Sequence, residues 1–260
     1  GTLSLSLDGD SFDFDFGAGP PPPALAPEPI TVLAGGSVTI DSTQAVDLAD
    51  ISAPALTVIS GAGVSQQLNT TLQVTGLTEV TAGGAGDVTL GRPGNAFGTV
   101  AVDAAGDLVR IGDDAGNLVL GDVIGDSVTV GAAGGIDQLA GATLTATTTL
   151  DVSAGGGVDL SNTQNTIGAA TVVAPGEAVS LTDGASGLEL AGVTAGSLAV
   201  VAAGDVMQTA TLNVTGGVDV TARTTSGPAA NVTLIDANNV YGSIGAQAFG
   251  PGTARGTVTI

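Results

Sequence analysis

The chain of 260 residues sets 25 acidic side chains against 4 basic ones, a net charge of −21, and contains no Cys and no His. Disulfide staples and thiolate chemistry are excluded, and so acidic a surface repels nucleic acid and anionic membranes. The 43% hydrophobic content falls in ordered alternation, which sets the chain apart from disordered acidic tracts.

Residues 1–16 form the first unit. Leu3, Leu5 and Leu7 alternate with Thr2, Ser4 and Ser6, and Phe12, Phe14 and Phe16 alternate with Asp13 and Asp15. Each half has a strict period of two, and Asp8-Gly9 between them is a turn signal, so the pattern predicts a hairpin or a two-part strand. Two roles fit this arm. It caps the first turn of its own body, where an open sheet end needs cover, or it lies on a neighbouring copy. Residues 17–30 follow, with Pro20-Pro21-Pro22-Pro23 and Pro27-Glu28-Pro29. Such a run favours polyproline II and acts as a stiff spacer, which suits an arm that reaches away from its own body.

The body, residues 31–260, is built from short apolar pairs such as Val88/Leu90, Val109/Ile111, Leu118/Leu120 and Val128/Val130. Their period of two places each pair on one strand face, and Gly-Asp, Gly-Asn and Ala-Gly runs between them supply turns. The body also repeats. Val88-Thr89-Leu90 with Asn95, Phe97 and Gly98 recurs as Val158-Asp159-Leu160 with Asn165, Ile167 and Gly168, then as Val232-Thr233-Leu234 with Asn239, Tyr241 and Gly242. An earlier partial copy opens near Val38. Strands that recur every ten residues or so inside a long repeat predict an all-β parallel β-helix, a β-solenoid in which like side chains stack inward. Gln66, Gln138 and Gln208 share one phase of the repeat, as an inward amide ladder or as a wet corner. Asn95, Asn165 and Asn239 suit a turn, where Asn tolerates left-handed backbone.

The cadence Val-Thr-Leu, Asn-x-Phe-Gly, Leu-x-Leu-Gly and Val-Thr-Val-x-Ala-Gly-Gly-Ile-x-Gln resembles the repeats of filamentous-haemagglutinin-like bacterial exoproteins, large surface adhesins, over Val38 to Ile260. The resemblance implies a right-handed parallel β-helix, export from a bacterial cell, and a role in surface structure or adhesion.

Enzymatic chemistry has little to work with. Glycan-cleaving β-helices use clustered acids with Arg or Lys, whereas Arg92, Arg110, Arg223 and Arg255 are scattered singly. The chain therefore reads as a non-enzyme without an organic cofactor. Calcium is the candidate cation, at Asp113, Asp114, Asp122 and Asp126, where Gly-Asp turns offer carboxylate oxygens. The most apolar window, Leu188 to Met207, is broken by Glu189 and Asp205 and is not a membrane span. An acidic chain free of Lys and Cys fits an extracellular or cell-surface protein of a prokaryote.

Two functions remain open. One is a structural subunit that polymerises head to tail by stacking coil ends and by a donor-strand-like arm. Its interface residues are Leu3, Leu5, Leu7, Phe12, Phe14 and Phe16 with Val38, Ile40, Val258 and Ile260, since Val38-Thr39-Ile40 and Val258-Thr259-Ile260 share a phase of the repeat. The other is a rod fragment of an adhesin that binds a polysaccharide or a cell surface.

Overall fold

The computed structural model describes the backbone of residues 3–7 and 12–15 and all of residues 30–260. Its 22 strands join one sheet, wound into a β-solenoid of about nine turns with no helix among the described residues. Neighbouring strands run parallel because each is the previous turn of the same coil. Two ladders follow the rod. The first climbs Val38, Leu56, Thr78, Val100, Leu120 and Gln138. The second climbs Val64, Val88, Val109, Val128, Leu150, Ala170, Leu190 and Gln208. A step is about 20 residues, and each advances the rod by about 4.8 Å, the spacing of paired strands.

The alternation read from the sequence is the alternation of faces. In Val128–Val130 the two valines are buried and Thr129 between them faces outward. The inward set from Ile30 to Ala248 forms one continuous core, in which each large apolar side chain contributes about 1.5–3 kcal/mol on burial. A parallel sheet with both ladders facing one interior excludes water without any helix.

The 70-residue repeat is not a whole number of coils. Val88 stands on the second ladder, and Val158, through Ile136 and Leu118, stands on the first. Val232, through Val206 and Leu188, returns to the second. At about 20 residues per step, one repeat therefore spans about three and a half coils, and equivalent residues of successive repeats lie on opposite sides of the rod. Gln66, Gln138 and Gln208 consequently do not stack on one another, which corrects the amide-ladder expectation.

Each of these glutamines instead clasps an asparagine. Gln66 Nε2 donates to Asn95 Oδ1 (2.7 Å) and Asn95 Nδ2 donates back to Gln66 Oε1 (2.9 Å). Asn95 also accepts from the Leu72 N–H and donates to the Leu90 carbonyl. Gln138 with Asn165 repeats the pattern, now with the Leu144 N–H and the Leu160 carbonyl. Gln208 with Asn239 repeats it again, with the Leu212 N–H. Asn95 and Asn165 are fully buried and their φ is negative; the non-glycine residue with a left-handed φ is Asn69. The turn expectation for these asparagines is thus corrected: they satisfy backbone groups inside the coil, as buried amides must.

The glycine that closes the Asn-x-Phe-Gly motif has a steric reason. A Cβ on Gly98 would stand 2.3 Å from the Thr75 carbonyl oxygen, and one on Gly168 would stand 2.5 Å from that of Thr147. In both places the strand below carries a bulge, which turns its carbonyls toward the next coil.

Candidate assembly ends and acidic corners

Strand β1 (Leu3–Leu7) pairs in parallel with β3 (Ile30–Ala34), Leu3 beside Ile30. Strand β2 (Phe12–Asp15) pairs in parallel with β4 (Val38–Ser42), Phe12 beside Val38. A hairpin would run antiparallel, so the arm is the second of the two expected forms: two strands of one further coil on its own body. Phe16, the Asp-Gly turn and the proline spacer at 17–29 lie outside the described residues. This placement also moves the expected interface. Val38 and Ile40 are fully buried, with β2 on one side and Leu56–Ser60 on the other. Their edges are taken within the chain, so neither is a free coil end.

At the other end the core is open. Strand Val240–Phe249 pairs below with Leu212–Arg223, and strand Val258–Thr259 pairs below with Val232–Thr233. Neither has a strand above it among the described residues. Tyr241, Ile244 and Ala246 pack on the core while only half-buried, and Val240, Val258 and Ile260 are exposed. Val258 and Ile260 thus stand where the sequence expects an end surface.

This end also gathers two of the four arginines. Arg223 and Phe249 are register partners, and the Phe249 carbonyl accepts from the Thr224 and Ala230 N–H groups. A tight turn through Gly252, φ 64°, then folds Arg255 back into a bridge with Phe249. Both guanidinium carbons lie over the Phe249 ring, at 5.6 and 5.5 Å from its centre, within cation–π range.

The acids occupy the corners and bond from one coil to the next. Asp122 accepts from the Thr143 N–H (2.7 Å), Asp114 from the Gly94 N–H (2.7 Å) and Asp87 from the Leu108 N–H (3.1 Å), each about one coil away in sequence. Asp126 accepts from the hydroxyls of Thr147 and Thr148, which hold its carboxyl below the usual value. The Asn238 N–H and the Thr211 hydroxyl do the same for Asp236. Asp113 is buried and accepts from the Phe97 and Ala115 N–H groups. Its counterpart Asp183, also buried, accepts from the Ala185 N–H and the Ser186 hydroxyl. The four acids named for calcium thus sit on separate corner bonds, and no group of three or more acidic side chains converges among the described residues. Sequence reasoning missed this bracing role, although the spacing of about 21 residues between an Asp and a Thr one coil on was available as a signal.

A shallow groove runs along the outer side of the second ladder, where Arg110, Asp114, Thr129, Asp151 and Thr171 offer polar groups in line with the rod. No helix of the described residues is long and apolar enough to cross a membrane.

A family model described as repeats of unknown function (DUF5649) matches residues 35–104, 105–174 and 176–247. The chain belongs to this family. No curated protein and no solved structure matches it. Each DUF5649 repeat holds one amide clasp: Gln66 with Asn95, Gln138 with Asn165, Gln208 with Asn239. The DUF5649 unit is therefore a stretch of about three and a half coils built around one buried Gln–Asn pair. Strands β1 and β2, with Phe249 and Arg255, lie outside the matched residues.

Proposed function

We propose that the chain is a structural protein, a stiff rod that joins further copies head to tail outside a prokaryotic cell. The carrying observation is the open coil at Val240–Thr259: a row of free backbone N–H and C=O groups with half-buried Tyr241 and Ile244 behind it. Such an edge adds a strand readily. β1 and β2 form the opposite end coil, and contacts between two unlike ends do not close on themselves, so they propagate as open filaments. The acidic corners support a purely structural role, because their carboxylates are engaged in holding coil to coil.

Negative-stain microscopy with sedimentation velocity tests this reading. Filaments one solenoid wide are expected; separate rods at every concentration would overturn it. The groove beside Arg110 and Asp151 supports a second reading, a rod that binds a glycan along its flank. Saturable retention of a polysaccharide by wild-type chain, lost in Arg110→Ala, would favour it.

A further inference from the structure

The charge of the chain is distributed in a way that end-to-end stacking explains. Acids outnumber bases by 21, yet Arg223 and Arg255 converge on one ring in the open end coil. The arm is the reverse: Asp8, Asp10, Asp13 and Asp15 fall within eight residues that hold no basic side chain. The two ends of the rod are therefore opposite in local charge, although the whole is strongly acidic.

Register connects them. From Phe12 the first ladder passes through Val38, Leu56, Thr78, Val100, Leu120 and Gln138. It continues in step through Leu160, Leu181, Val200 and Val220 to Ala246. Phe12 and Ala246 thus occupy the same position on the first and last rungs. A second copy that continued the ladder would seat its Phe12 over Ala246, its Asp13 over Gln247 and its Asp15 over Phe249. Its β1 would fall on the same side as Val258–Thr259, so no rotation between copies is needed.

Resting on the end-to-end reading above, we propose that Arg223 and Arg255, held over Phe249, form a clip for the acidic β2 strand of a second copy, with Asp15 as its first contact and Asp13 beside it. Phe249 splays and fixes two guanidiniums that otherwise sample many rotamers, so less freedom is lost when a carboxylate arrives. Attraction at the junction counters the repulsion between two bodies of like net charge, and it selects β2 over the other acidic surfaces of the neighbour, a specificity role typical of interfacial charge. The clip also fixes polarity, since two arginine ends or two aspartate ends repel.

Charge exchange in the full chain tests this. Arg223→Glu with Arg255→Glu is one variant; Asp13→Arg with Asp15→Arg is the other. Each alone is expected to raise the concentration for half-association by about tenfold or more. An equal mixture is expected to recover assembly as an alternating polymer, because each junction then pairs opposite charges. The milder Arg223→Gln, Arg255→Gln chain, with unchanged circular dichroism and melting, guards against misfolding and is expected to associate weakly. If that variant assembles like wild type, the clip is wrong while end stacking stands. If the mixture fails to recover although both chains are folded, the pairing with β2 is wrong. If wild type itself never associates, the end-to-end reading falls, and the clip with it.

Discussion

Gln66 and Asn95, 29 residues apart, exchange both of their side-chain amide hydrogen bonds inside the coil. The pair joins adjacent rungs at a corner where the strand ladder is interrupted, and Asn95 takes up a backbone N–H from one rung and a carbonyl from the other. A corner of a β-solenoid leaves such groups without strand partners, and burying them unpaired is costly. The recurring clasp meets that need in place of water.

The first prediction concerns the clasp in the middle repeat. Asn165→Ala strands the Leu144 N–H, the Leu160 carbonyl and the Gln138 amide. Each buried group left unpaired costs about 1–3 kcal/mol, so the total is several kcal/mol. Asn239→Ala, at a half-buried site, should cost less. Urea denaturation ranks the two; equal midpoints for both variants and wild type would show that the clasp does not stabilise the coil.

What the sequence made legible was the inward face, because alternation in Val128–Val130 or Leu118–Leu120 carries its own period. The 70-residue repeat was legible too, but its relation to the coil was not. Steps along one ladder vary from 18 residues, Val38 to Leu56, to 22, Leu56 to Thr78. Corner insertions blur the coil period while the longer repeat survives. The Gln–Asn partners escaped for the same reason, since their separations of 29, 27 and 31 residues match neither period. Nor did the alternating arm declare its direction. Leu3–Leu7 and Phe12–Asp15 fit a hairpin and a coil equally, and only pairing with β3 and β4 separates them. The arginine clip depends on a turn at Gly252 that returns Arg255 to Phe249, and spacing alone does not encode that return.

Glycine at the motif's last position is the second prediction. Gly168→Ala drives a methyl against the Thr147 and Thr148 carbonyls, and overpacking of this kind costs about 1–3 kcal/mol. Gly131→Ala meets only the Ser153 carbonyl at 4.0 Å and should fall within about 0.5 kcal/mol of wild type, as ordinary surface changes do. Thermal melts of the two variants side by side decide it; equal losses would refute the bulge as the reason for the glycine.

A third prediction follows from Asp126. The hydroxyls of Thr147 and then Thr148 lower its pKa in the folded chain. A depressed folded pKa gives stability that is fully present above the unfolded value of about 3.9 and is lost as pH falls through the folded value. Thr147→Val with Thr148→Val should therefore raise the Asp126 pKa toward that ordinary value and flatten the acid limb of stability. Carboxyl carbon shifts followed by NMR through the acid range report it, and an unmoved titration would remove the hydroxyls as the cause.

The last prediction reverses a flaw in the core. Thr78 lies on the first ladder between Leu56 and Val100, is fully buried, and its hydroxyl has no hydrogen-bond partner. Its neighbours above and below are aliphatic, so the hydroxyl gives up its hydration and recovers nothing in exchange, at a cost of about 1–3 kcal/mol. Valine has the same branched shape and suits a strand at least as well. Thr78→Val should therefore stabilise the solenoid by about 1 kcal/mol or more, where most core substitutions destabilise. Thr81→Val, on the exposed face of the same strand, is the control and should change little. A raised melting temperature for Thr78→Val alone is the expected result. A lowered one would mean that the hydroxyl has a partner in solution, water or a shifted carbonyl, and that Thr78 earns its place in the ladder through that bond.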